Sequence, residues 1–302
     1  MYLFSFIKSL LKPRNFLSSV YFLLNAAFVF LVFYILPIEI VEDKAMNSLI
    51  LGLIGLGVNG VFIMLSLTPM GEAFWRFRNN IKKHPDAVYS DIWRTVNEVF
   101  DEVKGRAREY TRSVSKKVKL YYSVTKDVNA YALGHRTVII TQGMLYSHPE
   151  YLKGVFAHEL GHIAHGDSDL KLGINVANSI ITTFVTVIST FAYTIAAILY
   201  NSENDLVHLV GLLLSIFLNV IIIGVFRLWS LVGVLCVNVA SRKAEYQADG
   251  FADEIGYGEQ LAQFLDALDG NAPRTSKFNL MFQTHPDTAD RLEALGFAYA
   301  AA

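Results

Sequence analysis

The chain has 302 residues, 53% of them hydrophobic and only 18% charged, with a formal net charge of −1. Ordinary soluble domains carry about 25% charged residues, and the mean hydropathy here is +0.36. A conventional soluble enzyme is therefore excluded, and the near-zero charge gives no footing for nucleic acid as a partner.

The first charge-free run covers 16–36, preceded by Lys8, Lys12 and Arg14 with no acid among them. It is too long for the apolar core of a signal peptide, and no small-residue cleavage pattern precedes Pro37 and Ile38, so a retained anchor is expected. A short loop with Glu39, Glu42 and Asp43 leads to a second run, 45–71, followed by Arg76, Arg78, Lys82 and Lys83. Both runs have the ~20 residues that a helix needs to cross a ~30 Å hydrocarbon core.

A polar region follows. Ile92, Val96, Val99, Phe100 and Val103 recur at helical spacing among charged residues. The alternating stretch 117–124 and the segments 129–133 and 137–141 predict three strands, the last two separated by the turn Gly134-His135-Arg136. Gly143 punctuates the chain, and Pro149 with Glu150 opens a helix. Asp167, Asp169 and Lys171 separate that helix from a third apolar run, 172–202. Glu203 and Asp205 precede a fourth, 206–226. After Arg227 the apolar character resumes over 228–241, which predicts one long helix delivering the chain to 242–249. Four transmembrane helices are expected.

Basic residues flank one side of this pattern and acids the other. The positive-inside rule then places both termini and the 72–171 region in the cytoplasm. The single cysteine, Cys236, can form no internal disulfide, as suits that compartment. The alanine-rich end, 298–302, reads as a frayed tail.

Within the predicted helix lies His158-Glu159-Leu160-Gly161-His162. Two histidines four residues apart project from one helix face and can grip a single Zn²⁺. Glu159 stands beside them, placed to take a proton from a water on the metal. The pentapeptide alone also occurs by chance, so a third ligand is required. Glu245 and Asp249 are four apart in the segment following the fourth apolar run. An acid pair at that spacing is ordinarily a solvated face. With the two histidines upstream, Glu245 reads as the third ligand and Asp249 as the carboxylate that orients a ligand imidazole. His165 shares the histidine face, but three ligands on consecutive turns converge poorly on one tetrahedral ion. Asp269, in Leu268-Asp269-Gly270, stands in a polar stretch and not in a membrane run. His285, before Pro286, is a candidate either for oxyanion support or for capping the metal in a resting state, with Arg291 buttressing it or pairing with an acid. His84, His135, His148 and His208 have no partner pattern.

Taken together, the ordered motifs resemble those of the HtpX-like membrane zinc endopeptidases. They are Asn129-Ala130-Tyr131-Ala132, then His158 to His162 with Gly166-Asp167, Ser241-Arg242 with Glu245, Ala248 and Asp249, and Thr284-His285-Pro286 with Arg291. Tyr131 departs from the family's usual phenylalanine. The resemblance implies an α+β, mainly α architecture: four transmembrane helices and a gluzincin-type zinc protease domain with a small sheet, interrupted by a membrane hairpin. The expected division is an anchor at 1–71, protease parts at 72–171 and 242–302, and the hairpin at 172–241. It implies one Zn²⁺ per chain and an inner-membrane, multi-pass quality-control peptidase. That enzyme cuts misfolded membrane proteins on the cytoplasmic side, within reach of other membrane proteases. Residues 129–132 are expected to offer a strand edge to extended substrate. A prenyl-protein endopeptidase of the CAAX type shares these ligands but needs more spans. A non-catalytic scaffold has no use for Glu159. A metal transporter places its polar ligands within the spans.

Overall fold

The computed structural model describes residues 2–86, 90–218, 220, 224–269 and 287–297. In chain order the helices are α1 (Tyr2–Leu10), α2 (Phe16–Tyr34), α3 (Lys44–Ser66), α4 (Pro69–Arg78) and α5 (Ser90–Tyr110). After the strands come α6 (Gln142–Ser147), α7 (Leu152–His165), α8 (Asp167–Tyr200), α9 (Asp205–Phe217), α10 (Gly224–Glu254), α11 (Gly258–Asp269) and α12 (Thr288–Ala294). The strands are β1 (Lys119–Ser123), β2 (Ala130–Leu133) and β3 (Thr137–Thr141). The architecture is mainly helical with one small sheet, as the sequence leads one to expect.

The chain forms two compact units. One gathers residues 20–63 and 174–236 and is built from apolar helices. Gly52 and Gly55 of α3 lie directly against the rings of Phe30 and Phe33, so only glycine lets α3 approach α2 this closely. Polar rungs cross its interior: the Tyr21 hydroxyl reaches Asn178 Oδ1 at 3.0 Å, and Trp229 Nε1 donates to Asn25 Oδ1 at 3.0 Å.

Three helices, Pro13–Tyr34, Lys44–Ser66 and Asp167–Tyr200, are long and apolar enough to cross a membrane. The second span stops at Ser66, short of the apolar run's end at residue 71, because Thr68 accepts a hydrogen bond from Gly71 N and Pro69 starts a new helix. The fourth apolar run appears as the 13-residue helix α9, with residues 219 and 221–223 outside the described set. The chain then runs in one helix from Gly224 through Glu254. The single long helix expected from the fourth run through Arg227 to 249 is seen as α10 from Gly224 onward, and its junction with α9 lies outside the described residues.

The other unit gathers residues 1–19, 64–173 and 237–302. Its sheet has the order β1-β3-β2, with β3 parallel to β1 and antiparallel to β2. β3 is central and wholly buried, which explains its run of Val138, Ile139 and Ile140. The buried stripe of α5 is Trp93, Val96, Phe100, Val103 and Ala107, and Phe100 meets Phe156 of α7 edge-on at 5.2 Å. The core continues through Leu160, Ile163, Phe251, Leu261 and Leu292.

Gly143 does not end an element. It lies inside α6, which starts because Thr141 Oγ1 accepts from Met144 N at 3.3 Å. Pro149 opens a single tight turn, and α7 proper begins at Leu152.

Candidate metal centre

α7 is buried on every face over residues 154–163, so its two histidines are held without freedom to turn away. Gly161 explains how a second helix comes so near. A Cβ there would lie 3.0 Å from Ala248 Cα and 3.1 Å from Ala248 O of α10. The bare glycine face lets the two helices touch backbone to backbone, and Glu245 and Asp249 flank Ala248 on the helix that is thereby drawn in.

The result is a triangle of donor atoms. His158 Nε2 and His162 Nε2 are 3.2 Å apart, and the Glu245 carboxylate stands 3.3 Å from each. These three side chains form the candidate metal cluster among the described residues, with ligand atoms within 4.8 Å of one another. Glu245 is fully buried and both histidines nearly so. An ion held tetrahedrally by bonds of roughly 2.0–2.1 Å sets its donors roughly 3.3–3.4 Å apart. The observed edges therefore fit a small divalent cation. Without one, two imidazole nitrogens and a carboxylate would be pressed together in a largely buried region.

The outer nitrogens of both rings face carboxylates. His158 Nδ1 lies 2.8 Å from Asp249 Oδ1. His162 Nδ1 lies 3.5 Å from Asp167 Oδ2. Such partners fix the tautomer and ring orientation, leaving Nε2 as the ligand atom. Asp249 is held in turn by Arg291, whose Nε donates to Oδ2 at 2.8 Å and whose Nη2 donates to Oδ1 at 2.6 Å. Arg291 Nη1 is also 3.8 Å from Glu245.

These charges set the local acid–base behaviour. Burial works against a charged His158, yet its hydrogen bonds to Asp249 and Glu245 push it up to about 10. His162 is also raised, with Glu245 outweighing the penalty of burial. Burial disfavours the Asp249 carboxylate, but Arg291 and His158 hold it below its ordinary range. Glu159 is buried beside the pair, and its charge reaches Arg291.

Asp167 stands in the motif series with Gly166, but its contact with His162 is not foreseen from the sequence. Its place depends on Gly166, which ends α7 in the left-handed conformation (φ 74°) and turns the chain so that the next residue faces back toward His162. A glycine followed by an acid just past the second histidine is the only trace of this in the sequence. Asp167 also pairs with Arg14, while Ser9 Oγ donates to Gly166 O at 3.0 Å and Lys12 Nζ reaches His165 O. The N-terminal cations thus close the end of α7, where positive charge complements the helix dipole.

His165 is outside the donor triangle and rests edge-on against Phe251. His84 receives the Trp93 indole N–H, His135 lies 3.4 Å from Asp169, His148 stacks on Tyr151, and His208 packs on Tyr200. Asp269 ends α11. His285 lies outside the described residues. Residues 130–132 belong to β2, whose second edge carries no strand among the described residues, and Asn129 precedes it. α7, the helix bearing the histidines, packs against β2.

Paired helical histidines, a carboxylate from a second helix and an acid between the histidines define a metallopeptidase centre. The chain belongs to peptidase family M48, whose model matches residues 93–297. It is 28% identical over 218 residues to a protease HtpX homolog of Bacillus pumilus, covering 66% of this chain and 69% of that protein. It is 27% identical over 218 residues to the homolog of Bacillus subtilis, covering 66% and 68%. It is 29% identical over 192 residues to protease HtpX of Stutzerimonas stutzeri, covering 56% and 62%. Among solved structures, the crystal structure of S. mikatae Ste24p aligns with a TM-score of 0.48 at 17% identity, covering 90% of this chain and 62% of that one. The protein is an HtpX-like metalloprotease with membrane character.

Proposed function

We propose that this is a zinc-dependent endopeptidase of the inner membrane that cuts misfolded or damaged membrane proteins on the cytoplasmic side. The observation that carries this reading is the buried triangle of His158, His162 and Glu245 with Glu159 alongside. The three would hold Zn²⁺, which when bound polarises a scissile carbonyl and makes water acidic near neutral pH. Glu159 takes the proton of the attacking water and returns it to the leaving amine. Asp249 and Asp167 keep the imidazoles pointed inward, and Arg291 holds Asp249 in place.

The second edge of β2, which pairs with no strand among the described residues, supports a substrate role for Asn129, Ala130, Tyr131 and Ala132. An extended peptide added there is recognised mainly through its backbone, which suits broad specificity. His285 is assigned oxyanion support, with capping of the zinc in a latent enzyme as its other reading. The protease domain is assigned to 72–171 and 242–302, with 1–71 as anchor and 172–241 as hairpin. The compact unit of 1–19, 64–173 and 237–302 supports joining the two protease parts, and it draws 1–19 and 64–71 of the proposed anchor in with them. The cytoplasmic orientation rests on the distribution of Lys and Arg.

Metal analysis of the purified protein alongside a casein-cleavage assay tests the assignment. One zinc per chain and chelator-sensitive cleavage are expected, with Glu159→Gln keeping the zinc and losing cleavage. Near wild-type cleavage by Glu159→Gln would remove Glu159 from its role as base.

A further inference from the structure

Two short helices stand at the ends of the first two spans and serve no part of the chemistry. α1 has 9 residues and precedes Pro13–Tyr34, and α4 has 10 residues and follows Lys44–Ser66. At 1.5 Å per residue each is about 14–15 Å long, half of what a membrane crossing needs.

Both are two-faced. α1 buries Tyr2, Phe6 and Ser9, and exposes Leu3, Phe4 (73%) and Ile7, with Leu11 (79%) continuing the stripe just past its end. α4 buries Glu72 and exposes Met70, Phe74 (59%) and Phe77 (84%) at i, i+4 and i+7. In water, stripes of this kind, two of them on one unit, would be an aggregation liability. The charge pattern around them has one sign. α1 has no acid, the sole acid of α4 is the buried Glu72, and Lys8 and Arg78 are exposed beside the stripes.

The buried faces meet at one place, while Ser9 of α1 also holds Gly166 O. Tyr2 packs edge-on against His135 at 5.3 Å, and Arg136 lies over its ring at 5.2 Å. Glu72 accepts from the amides of His135 and Arg136 at 2.8 and 3.2 Å, and from Thr137 Oγ1 at 2.7 Å. Both helices are thereby fastened to the turn joining β2 to β3, within the unit that holds the metal centre.

We propose that α1 and α4 form a paired interfacial anchor, lying in the membrane surface with their phenylalanines among the upper acyl chains and Lys8 and Arg78 on anionic lipid headgroups. The occupant is a lipid surface and not a second protein, because each stripe is continuous in the chain with a membrane-crossing helix and is bordered by cations. Interfacial helices of this kind seat their apolar face about 5–10 Å into the boundary of headgroup and acyl chain, and each cation near an anionic surface adds attraction. The anchor would set the β2 edge at a fixed height above the bilayer.

The test uses the full chain with Cys236→Ala as background, carrying Phe4→Cys, Phe74→Cys, Phe77→Cys or, as control, the exposed Glu98→Cys. Each is labelled with a thiol fluorophore and placed one chain per nanodisc of mixed phosphatidylcholine and phosphatidylglycerol. Retained metal stoichiometry certifies the fold, and Met70→Cys substitutes for any variant that loses it. Labels at positions 4, 74 and 77 should be quenched by lipids spin-labelled near the headgroup and protected from aqueous iodide, with position 98 the reverse. Quenching at positions 4 and 77 should weaken in pure phosphatidylcholine, and Lys8→Gln with Arg78→Gln should abolish that lipid dependence. Iodide reaching all four positions alike would overturn the proposal. So would protection that appears only when two chains share a disc, since that result would make a second copy the occupant. Lipid quenching indifferent to phosphatidylglycerol would overturn the anionic-headgroup assignment.

Discussion

Asp249 Oδ1 stands 2.8 Å from Nδ1 of His158, and the same carboxylate is gripped by two nitrogens of Arg291. A ligand histidine thus leans on a carboxylate that leans on a guanidinium, all three buried. Asp249→Ala should lower metal affinity about 10–100-fold, the usual effect of removing such a partner. Chelator competition measures it. Unchanged affinity would reduce Asp249 to a packing residue.

Glu245→Ala should do more, because it leaves two imidazoles to hold the ion. Metal occupancy and cleavage should fall together, and no gain from added zinc should restore full activity. Full stoichiometry at chelator concentrations that spare the wild type would show that Glu245 is not a ligand.

Proton release should accompany metal binding. A free His158 titrates at about 10 in place of its ordinary 6.5 and His162 is also raised, whereas a bound imidazole must be neutral. Affinity should therefore climb with pH toward about 10. For the metal-free fold the sign is opposite. A raised folded-state value stabilises fully below the unfolded value of 6.5, and that contribution is lost as pH rises through about 10. Calorimetry in buffers of different ionisation heat reads the protons, and melting of the metal-free protein from pH 6 upward reads the stability. Metal affinity that falls with rising pH would contradict this account.

Gly161→Val should separate α7 from α10, since even a Cβ would sit 3.0 Å from Ala248 Cα. Overpacking of this kind costs about 1–3 kcal/mol. Because the pressed backbone lies between Glu245 and Asp249, metal affinity should drop along with thermal stability. A variant with wild-type melting and wild-type affinity would mean the helices need no such approach.

In a Cys236→Ala background, an impermeant thiol reagent applied to intact cells should label Glu203→Cys and spare Lys116→Cys. Broken cells should permit both. Labelling of position 116 from outside would reverse the proposed orientation and with it the cytoplasmic site of cleavage.

The donor triangle was readable from the chain because helical spacing alone puts His158 beside His162 and Glu245 beside Asp249. The strands were readable because β3 is buried on both faces and so reads as unbroken Val138, Ile139 and Ile140. Asp167 was not, because its role depends on the backbone of Gly166 and not on any helical period. α6 was hidden by Gly143, which sits within it for a packing reason: a Cβ there would run into the carbonyls of Lys126 and Asp127. α1 and α4 were hidden because each is too short for periodicity to stand out beside the long apolar runs. The limits of the fourth run were not readable, because Arg227 interrupts it and composition there fixes no end.

The two histidines precede α8 and α9, and Glu245 follows them. A growing polypeptide therefore owns two of the three ligands while it is being made, and acquires the third only after the hairpin between has been synthesised. Until α10 has folded back on α7, the nascent protease has no complete ligand set. Chain order alone thus withholds the complete ligand set until the helix after the hairpin has been made.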